Sequence, residues 1–295
     1  MEIRPILSSL LRNKTGALLI AMQVALTLAI VANALYIVKD RLSLSTRPTG
    51  IADEANYFRI ITSRLDHGGD HFADQQRDEA VLRAVPGVVA ATWSNQSPLA
   101  RSGWNMSVQT APDQTNSDVN AAFYMMPNPV AGAMGLKLVE GRDFTADDIV
   151  NWDPEKDNNS GRIAIVTKFL AKKLYPDGSA IGKSIYFGGS PDDPRPMTIV
   201  GVVERLQTPW AQTSENADGS VVVATRYGDY SGNYLVRVEP GQLDRVMRDA
   251  EAALLKAEPR RLVHGKRSLV EDRALRYRDD RAIAWMLATV TALLL

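Results

Sequence analysis

Three groups of residues in this 295-residue chain have types and spacing that could do chemistry. The first is Gly178-Ser179-Ala180-Ile181-Gly182-Lys183-Ser184, which comes near the phosphate-cradling pattern G-x-x-x-x-G-K-[ST]. That pattern needs a glycine turn whose N–H groups face phosphate and a lysine that opens a helix. Here the glycines are one residue too close, Asp177 occupies the preceding position, and Ser184-Ile185-Tyr186-Phe187 reads as a strand. A turn before a strand is the expected role. The second group is His67 and His71 with Asp66, Asp70 and Asp74. Gly68 and Gly69 interrupt the helix that would place both imidazoles on one zinc ion, so Asp70 is expected to be a helix cap. The third is Asp153, Asp157 and Asn159, which lack the glycine and terminal glutamate of a calcium loop. There is no cysteine, which removes thiolate nucleophiles, disulfides and Cys-based metal sites. The sequence therefore assigns no catalytic, cofactor-binding or metal-ligating residue, expects no cofactor, and points away from an enzyme. With 34 basic and 34 acidic residues the formal charge is zero, which argues against a nucleic-acid partner.

The elements around these groups are organised by Thr15 to Val38, an uncharged apolar run. A helix of about 24 residues spans the ~30 Å hydrocarbon core of a bilayer. Ala282 to Leu295 is a second apolar run, about two-thirds of a span, and is expected to be the start of a second membrane helix in a truncated chain. A cleaved signal peptide ending at Ala32-Asn33-Ala34 is the rival for the first run, but the apolar stretch continues past it to Val38. Arg4, Arg12 and Lys14 against Glu2 keep the short N-terminal arm in the cytoplasm, so the large middle of the chain is expected outside it. Ile3, Ile6, Leu7, Leu10 and Leu11 recur at helical spacing, as in an amphipathic helix on the inner membrane face.

Between the two runs, Asn56–Ile61, a helix from about His71 to Val85 and Val88–Trp93 form a β-α-β unit closed by Pro86-Gly87. Asn233–Val238, a helix bearing Leu243, Val246, Met247, Ala250 and Leu254 on one face, and Arg261–His264 form another. The section between is rich in strands, expected at Trp104–Thr110, Val119–Met126, Arg162–Val166, Ser184–Phe187, Met197–Val203 and Ser220–Thr225. It holds one short helix, Lys168 to Leu174, capped by Thr167. Two acidic loops, Asp147–Gly161 and Gly188–Pro196, read as solvated surface. Ser268 to Arg281 is dense in alternating charge and has no helix breaker before Ala282, which predicts one continuous helix running from a stalk into the membrane.

The stretch Met134-Gly135-Leu136-Lys137-Leu138-Val139-Glu140-Gly141-Arg142-Asp143-Phe144-Thr145 resembles the periplasmic core domain of MacB/FtsX-type ABC transporter permeases. The likeness continues through Ile163–Val166, Leu170–Pro176, Ile181–Ile185, Ile199–Val203 and Tyr234–Val238 with Pro240-Gly241, and includes the Leu10–Lys14 lead-in. The resemblance implies an α+β fold: an N-terminal transmembrane helix, a periplasmic porter-like subdomain of two β-α-β units with an inserted β-rich subdomain, and the start of a second transmembrane helix. The expected organisation is a cytoplasmic lead-in (1–14), transmembrane helix (15–38), stalk (39–55), first half of the porter-like subdomain (56–96), insertion (97–229), second half (230–267), stalk helix (268–281) and truncated second transmembrane helix (282–295).

The resemblance also implies a permease in the bacterial inner membrane whose periplasmic domain moves when a cytoplasmic ABC ATPase hydrolyses ATP. Export, lipoprotein extraction and mechanical signalling across the membrane are the family's uses of that motion. The implied partners are the lipid bilayer, an ATPase on a separate subunit, a second permease in a homo- or heterodimer, and a periplasmic adaptor. Ser268–Arg281 is the expected transmitting element, with the two periplasmic subdomains shifting against each other. The competing class is a membrane-anchored periplasmic binding or sensor module without transport.

Overall fold

The computed structural model describes residues 14–65, 69–112, 114, 119–156, 161–187, 195–211, 216–228 and 231–294. The lead-in up to Asn13, His67, Asp157, Asn159 and most of the second acidic loop lie outside these residues. The chain divides into two compact units. One comprises the chain up to Arg47 and again from Tyr277; the other is Pro48–Arg276.

The first unit is a pair of helices. Helix α1 (Lys14–Ser45) has 32 residues, and apolar side chains such as Leu18, Leu26 and Tyr36 are exposed along it. It runs seven residues beyond Val38, so the expected stalk at 39–55 begins as helix and only the part after Ser45 is irregular. Leu42 and Ser43 carbonyls accept side-chain hydroxyls of Ser45 and Thr46 in this last turn, and Pro48 prevents continuation. Its partner, Arg278–Leu294, packs along it. From Thr27 onward the more buried positions on α1 are Thr27, Val31, Ala34, Ile37, Val38, Arg41, Leu44 and Ser45. Their spacing puts them on one face of the helix. An ion pair, Arg41 Nη1 to Asp280 Oδ1 at 2.5 Å, closes its C-terminal end.

The Pro48–Arg276 unit contains the two β-α-β units and the insertion, and the fold is α+β. Strand β1 (Tyr57–Arg64), helix α2 (His71–Arg83) and β2 (Val88–Trp93) form the first β-α-β. Strand β12 (Ser231–Val238), helix α5 (Leu243–Ala257) and β13 (Arg261–Ser268) form the second. Their strands interleave in one antiparallel sheet ordered β13-β1-β12-β2, the split β-α-β arrangement. Phe58 stands opposite Val236 and Ile60 opposite Tyr234, so the buried residues of β1 and β12 share a face. Helices α2 and α5 pack on the sheet side by side.

Between β2 and β12 the insertion supplies β3 (Asn105–Gln109), β4 (Val119–Met125), β5 (Leu138–Gly141), β6 (Val150–Trp152), β7 (Ile163–Thr167), β8 (Ser184–Phe187), β9 (Pro196–Val203), β10 (Ser220–Val223) and β11 (Thr225–Tyr227). Its short helices are α3 (Val130–Met134) and α4 (Lys168–Leu174). Seven strands follow the order β5-β9-β7-β10-β4-β3-β8, and β8 also pairs with β9. That last pairing closes a six-stranded ring, because β9 gives the first part of one edge to β8 and the rest to β5. Strands β6 and β11 form a separate parallel pair. The first acidic loop is thus partly structured: a 3-10 turn, Ala146–Asp148, precedes β6. Closure pairs both edges of the ring strands and leaves β5 as an edge strand beside β9.

The sheet and the ring are not separated by solvent. Phe58, Ile60, Trp93 and Tyr234 of the sheet belong to the same continuous apolar cluster as Val108, Phe123, Ile185 and Val221 of the ring. The predicted continuous helix over 268–295 is replaced by two, α6 (Leu269–Arg276) and α7 (Arg278–Leu294), interrupted at Tyr277. Tyr277 is 1% exposed, and burying this large side chain outweighs the regular helix that the exposed charges alone would support.

Candidate coupling site at the two chain crossings

The three chemical candidates from the sequence have structural roles. In the Gly178–Ser184 turn, Gly182 N–H donates to Ile199 O at 2.8 Å and Lys183 N–H to Ala180 O at 3.1 Å. Ile181 N–H donates to Ser179 Oγ at 3.1 Å, and the Ser179 hydroxyl pairs with the Glu140 carboxylate. These donors are consumed by the fold, and Lys183 leads into strand β8, so no phosphate cradle exists here. Asp70 caps α2, its carboxylate accepting from Phe72 N–H at 3.0 Å and Ala73 N–H at 3.1 Å. Asp153 accepts from Glu155 N–H and pairs with Lys156 at 2.8 Å. Among the described residues no group of three His, Asp or Glu side chains could hold a metal.

The feature with functional geometry is the pair of chain passages at the two ends of the Pro48–Arg276 unit, just after Arg47 and just before Tyr277. On the Pro48–Arg276 side the two passages are clipped together. Arg273 on α6 forks onto Glu54, with Nη2 at 2.8 Å from Oε1 and 2.6 Å from Oε2 and Nε at 3.1 Å from Oε2. Glu54 opens the 3-10 turn before β1, and its Oε1 also accepts the Thr49 N–H and hydroxyl, both at 2.7 Å. One residue further back on α6, Asp272 takes Arg59 of β1 in a second fork at 2.6 and 3.1 Å, and Arg267 of β13 at 3.1 Å. Asp272 is 3% exposed, so this carboxylate is held out of water by two guanidinium groups. Helix α6 itself starts with a reciprocal cap: Ser268 N–H and hydroxyl donate to Glu271, and Glu271 N–H donates to the Ser268 hydroxyl.

The first passage is also tied to the ring. Gln207 N–H donates to Thr49 O at 2.8 Å. Gly50, at φ +95°, lies so close to Arg205 that an added Cβ would sit 2.1 Å from its carbonyl oxygen.

A second network fixes the insertion to the sheet. Glu79 on α2 accepts from Arg226 of β11 at 2.9 Å, Arg83 at 3.1 Å, Trp93 N–H at 2.8 Å and Asn128 at 3.1 Å. Its neighbour Asp78 accepts from Arg261 of β13 at 2.6 Å and from the Tyr234 hydroxyl at 2.6 Å. Burial, reinforced by the Asp78 charge, drives the Tyr234 phenol well above its ordinary pKa, so it remains a donor. All four charged partners, Asp78, Glu79, Arg226 and Arg261, are buried. Ion pairs of this kind become costly when one member is removed, because the other is left charged in a dry interior.

Sequence reasoning placed Asp272 and Arg273 within the expected transmitting element, Ser268–Arg281, but assigned none of their partners and nothing of the Asp78 and Glu79 network. Glu54 and Arg273 lie 219 positions apart and Glu79 and Arg226 lie 147 apart, so nothing in local spacing couples them. The one local signal was Ser268-Leu269-Val270-Glu271 in its capping form, S-x-x-E, which marks the start of α6.

Comparison with known proteins gives the lineage. The family model described as MacB-like periplasmic core domain matches residues 20–253. The "Macrolide export ATP-binding/permease protein MacB" of Chromobacterium violaceum is 28% identical over 196 residues, covering 63% of this chain and 27% of that protein. The protein of the same name from Neisseria gonorrhoeae is 24% identical over 192 residues, covering 61% and 25%. The chain thus spans about a quarter of the length of these curated relatives. Among solved structures, the extracellular domain of the noncanonic ABC-type transporter YknZ from Gram-positive bacteria matches at 17% identity and TM-score 0.44, covering 70% of this chain and 100% of that one. The periplasmic region of MacB from Actinobacillus actinomycetemcomitans matches at 15% identity and TM-score 0.43, covering 78% and 95%. With the family model matched from within α1 to within α5, this chain belongs to the MacB-like periplasmic core domain family of ABC transporter permeases.

Proposed function

We propose that this chain is part of a permease in the bacterial inner membrane, with α1 across the bilayer, residues before it in the cytoplasm and the Pro48–Arg276 unit in the periplasm. The observation that carries this reading is α1: a helix of 32 residues most of whose apolar side chains are exposed, apart from the stripe packed against its partner helix. In water such a surface would be covered by protein; in lipid it is the expected state.

In this reading the periplasmic unit receives motion through its two chain passages. Both are bound to the same ion-pair clip, so displacement of either membrane helix reaches β1 and α6 together. The sequence suggested that the porter-like subdomain and the inserted β-rich subdomain shift against each other by hinge or shear. The continuous apolar cluster and the buried Glu79–Arg226 and Asp78–Arg261 pairs favour motion of the whole unit as one body instead. Energy would come from an ATPase on a partner subunit, with a second permease chain and a periplasmic adaptor completing the assembly.

The native chain has no cysteine, so single cysteines report topology directly. Ser102→Cys in full-length protein in spheroplasts should react with a membrane-impermeant thiol reagent, and Ser8→Cys only after lysis. Equal labelling of both before lysis would overturn the reading. So would loss of the N-terminal 34 residues from the mature protein, which would make α1 a cleaved signal.

A further inference from the structure

The ring holds an aromatic cavity that transmission of motion does not use. Its volume is about 280 Å³. Phe123 of β4, Phe187 of β8, Met106 of β3 and Met197 of β9 line it together with Trp104 and Trp152. The walls are braced. Phe123 and Phe187 meet edge to face at 4.9 Å, and Tyr227 supports both tryptophans edge to face at 5.3 Å. Trp104 is nevertheless 39% exposed, and Trp152 is only partly covered. Large rings braced from behind yet left open toward a cavity are a preorganised surface for another flat ring. Among the described residues two groups break the apolar lining, the Asn105 amide and the Arg195 guanidinium, and of these Arg195 carries the charge.

We propose that this cavity is a binding site for a small planar aromatic acid. An apolar cavity of about 150 Å³ accommodates one benzene ring, so this one fits about two fused rings. The ring system would stack against the tryptophans and the two methionines, whose thioethers favour aromatic contact. The carboxylate or sulfonate would lie toward Arg195, whose guanidinium carries five donors and can take an anion beside the partner it already has. The inference goes beyond the membrane reading and does not depend on it.

The test uses the full chain in lipid nanodiscs and naphthalene-2-carboxylate as probe, with binding followed by saturation-transfer NMR and calorimetry against empty nanodiscs. Saturable 1:1 binding is expected in the native chain. It should be lost in Met197→Trp, which fills the cavity, and in Asn105→Trp, which blocks it from an exposed position and keeps the fold readable by circular dichroism. Arg195→Gln should weaken the carboxylate about tenfold, the loss of one charge-assisted hydrogen-bonding group, while binding of neutral naphthalene-2-carboxamide stays unchanged. Equal binding by native chain and folded Asn105→Trp, or binding no greater than to empty nanodiscs, would overturn the site. Equal carboxylate affinity in native chain and Arg195→Gln would overturn the acid specificity.

Discussion

Arg273 and Glu54 lie 219 positions apart in sequence and form a two-pronged ion pair with contacts of 2.6 and 2.8 Å. The pair is mostly shielded, with side chains 17% and 22% exposed. Its energetic value lies between that of a surface pair and that of a buried one. A double-mutant cycle with Arg273→Ala and Glu54→Ala should give a coupling of about 1 kcal/mol at low salt, shrinking as salt screens it. Glu54→Ala should cost more than Arg273→Ala, because Thr49 N–H and hydroxyl lose their acceptor as well. Denaturant unfolding followed by tryptophan fluorescence measures both. A coupling indistinguishable from zero would remove the clip from the mechanism.

The buried network makes a sharper forecast. Glu79→Ala leaves Arg226, 4% exposed, charged and without its carboxylate, and should destabilise the unit by about 3–5 kcal/mol. Arg226→Met should cost much less. Glu79 would keep Arg83, Trp93 N–H and Asn128 as donors, and methionine fills the vacated volume with an apolar chain. Equal losses in the two variants, measured as melting shifts in nanodiscs, would contradict this asymmetry.

That network also explains what could be read from the sequence and what could not. The buried stripe of α2 is Gln75, Asp78, Glu79 and Leu82, spaced i, i+3, i+4, i+7 as a core-facing helix requires. Three of its four members are polar, so hydrophobic periodicity is silent where the fold most needs it. On α5 the equivalent stripe is Val246, Ala250 and Leu254, and there the pattern was plain. Helix α4 was legible for a different reason: Thr167 caps it locally, its hydroxyl accepting from Leu170 N–H. Strands β5 and β6 were missed. They are short, largely exposed and fixed by pairing with β9 and β11, and at four and three residues neither is long enough for an apolar alternation to mark it. Closure of the ring through β8 and β9 depends on partners far apart in sequence, and no local pattern encodes it. The exposed apolar surface of α1 was legible because composition alone suffices for it.

Asp148 supplies a pH test outside the membrane helices. Arg142 forks onto it at 2.5 and 3.1 Å, and Thr145 donates its N–H at 2.8 Å and its hydroxyl at 3.0 Å. The Arg142 hydrogen bond chiefly, with help from Thr145, lowers the carboxyl pKa from 3.8 to about 2. A carboxyl whose folded pKa is depressed stabilises the fold fully above its unfolded pKa. That contribution falls away as pH drops from 3.8 toward 2, since protonation then favours the unfolded chain. Carbon-13 titration of the Asp148 carboxyl should show the low midpoint, and Arg142→Ala should move it back up toward the usual carboxylate range. An unchanged midpoint in that variant would mean Arg142 is not the cause.

The packing of β5 onto β9 turns on one residue. Gly201 sits where the β5 side of the ring comes closest, and a Cβ there would lie 2.4 Å from the Arg142 carbonyl oxygen and 3.1 Å from Ile165 Cγ1. The carbonyl belongs to backbone held by the Arg142 N–H to Val200 O bond at 2.9 Å, so it cannot retreat without breaking the ladder. Gly201→Ala should therefore cost about 1–3 kcal/mol, the usual range for overpacking a fixed site. Faster amide exchange at Arg142 and along Leu138–Gly141 should accompany it, because the edge strand is what must yield. Gly178→Ala is the matched control: nothing lies within 4 Å of its added Cβ, and its φ is not positive. That change should be neutral or slightly stabilising through loss of unfolded-chain freedom. If Gly201→Ala instead behaved like the control, with exchange at β5 unaltered, β5 would not be held against β9 as closely as the geometry requires.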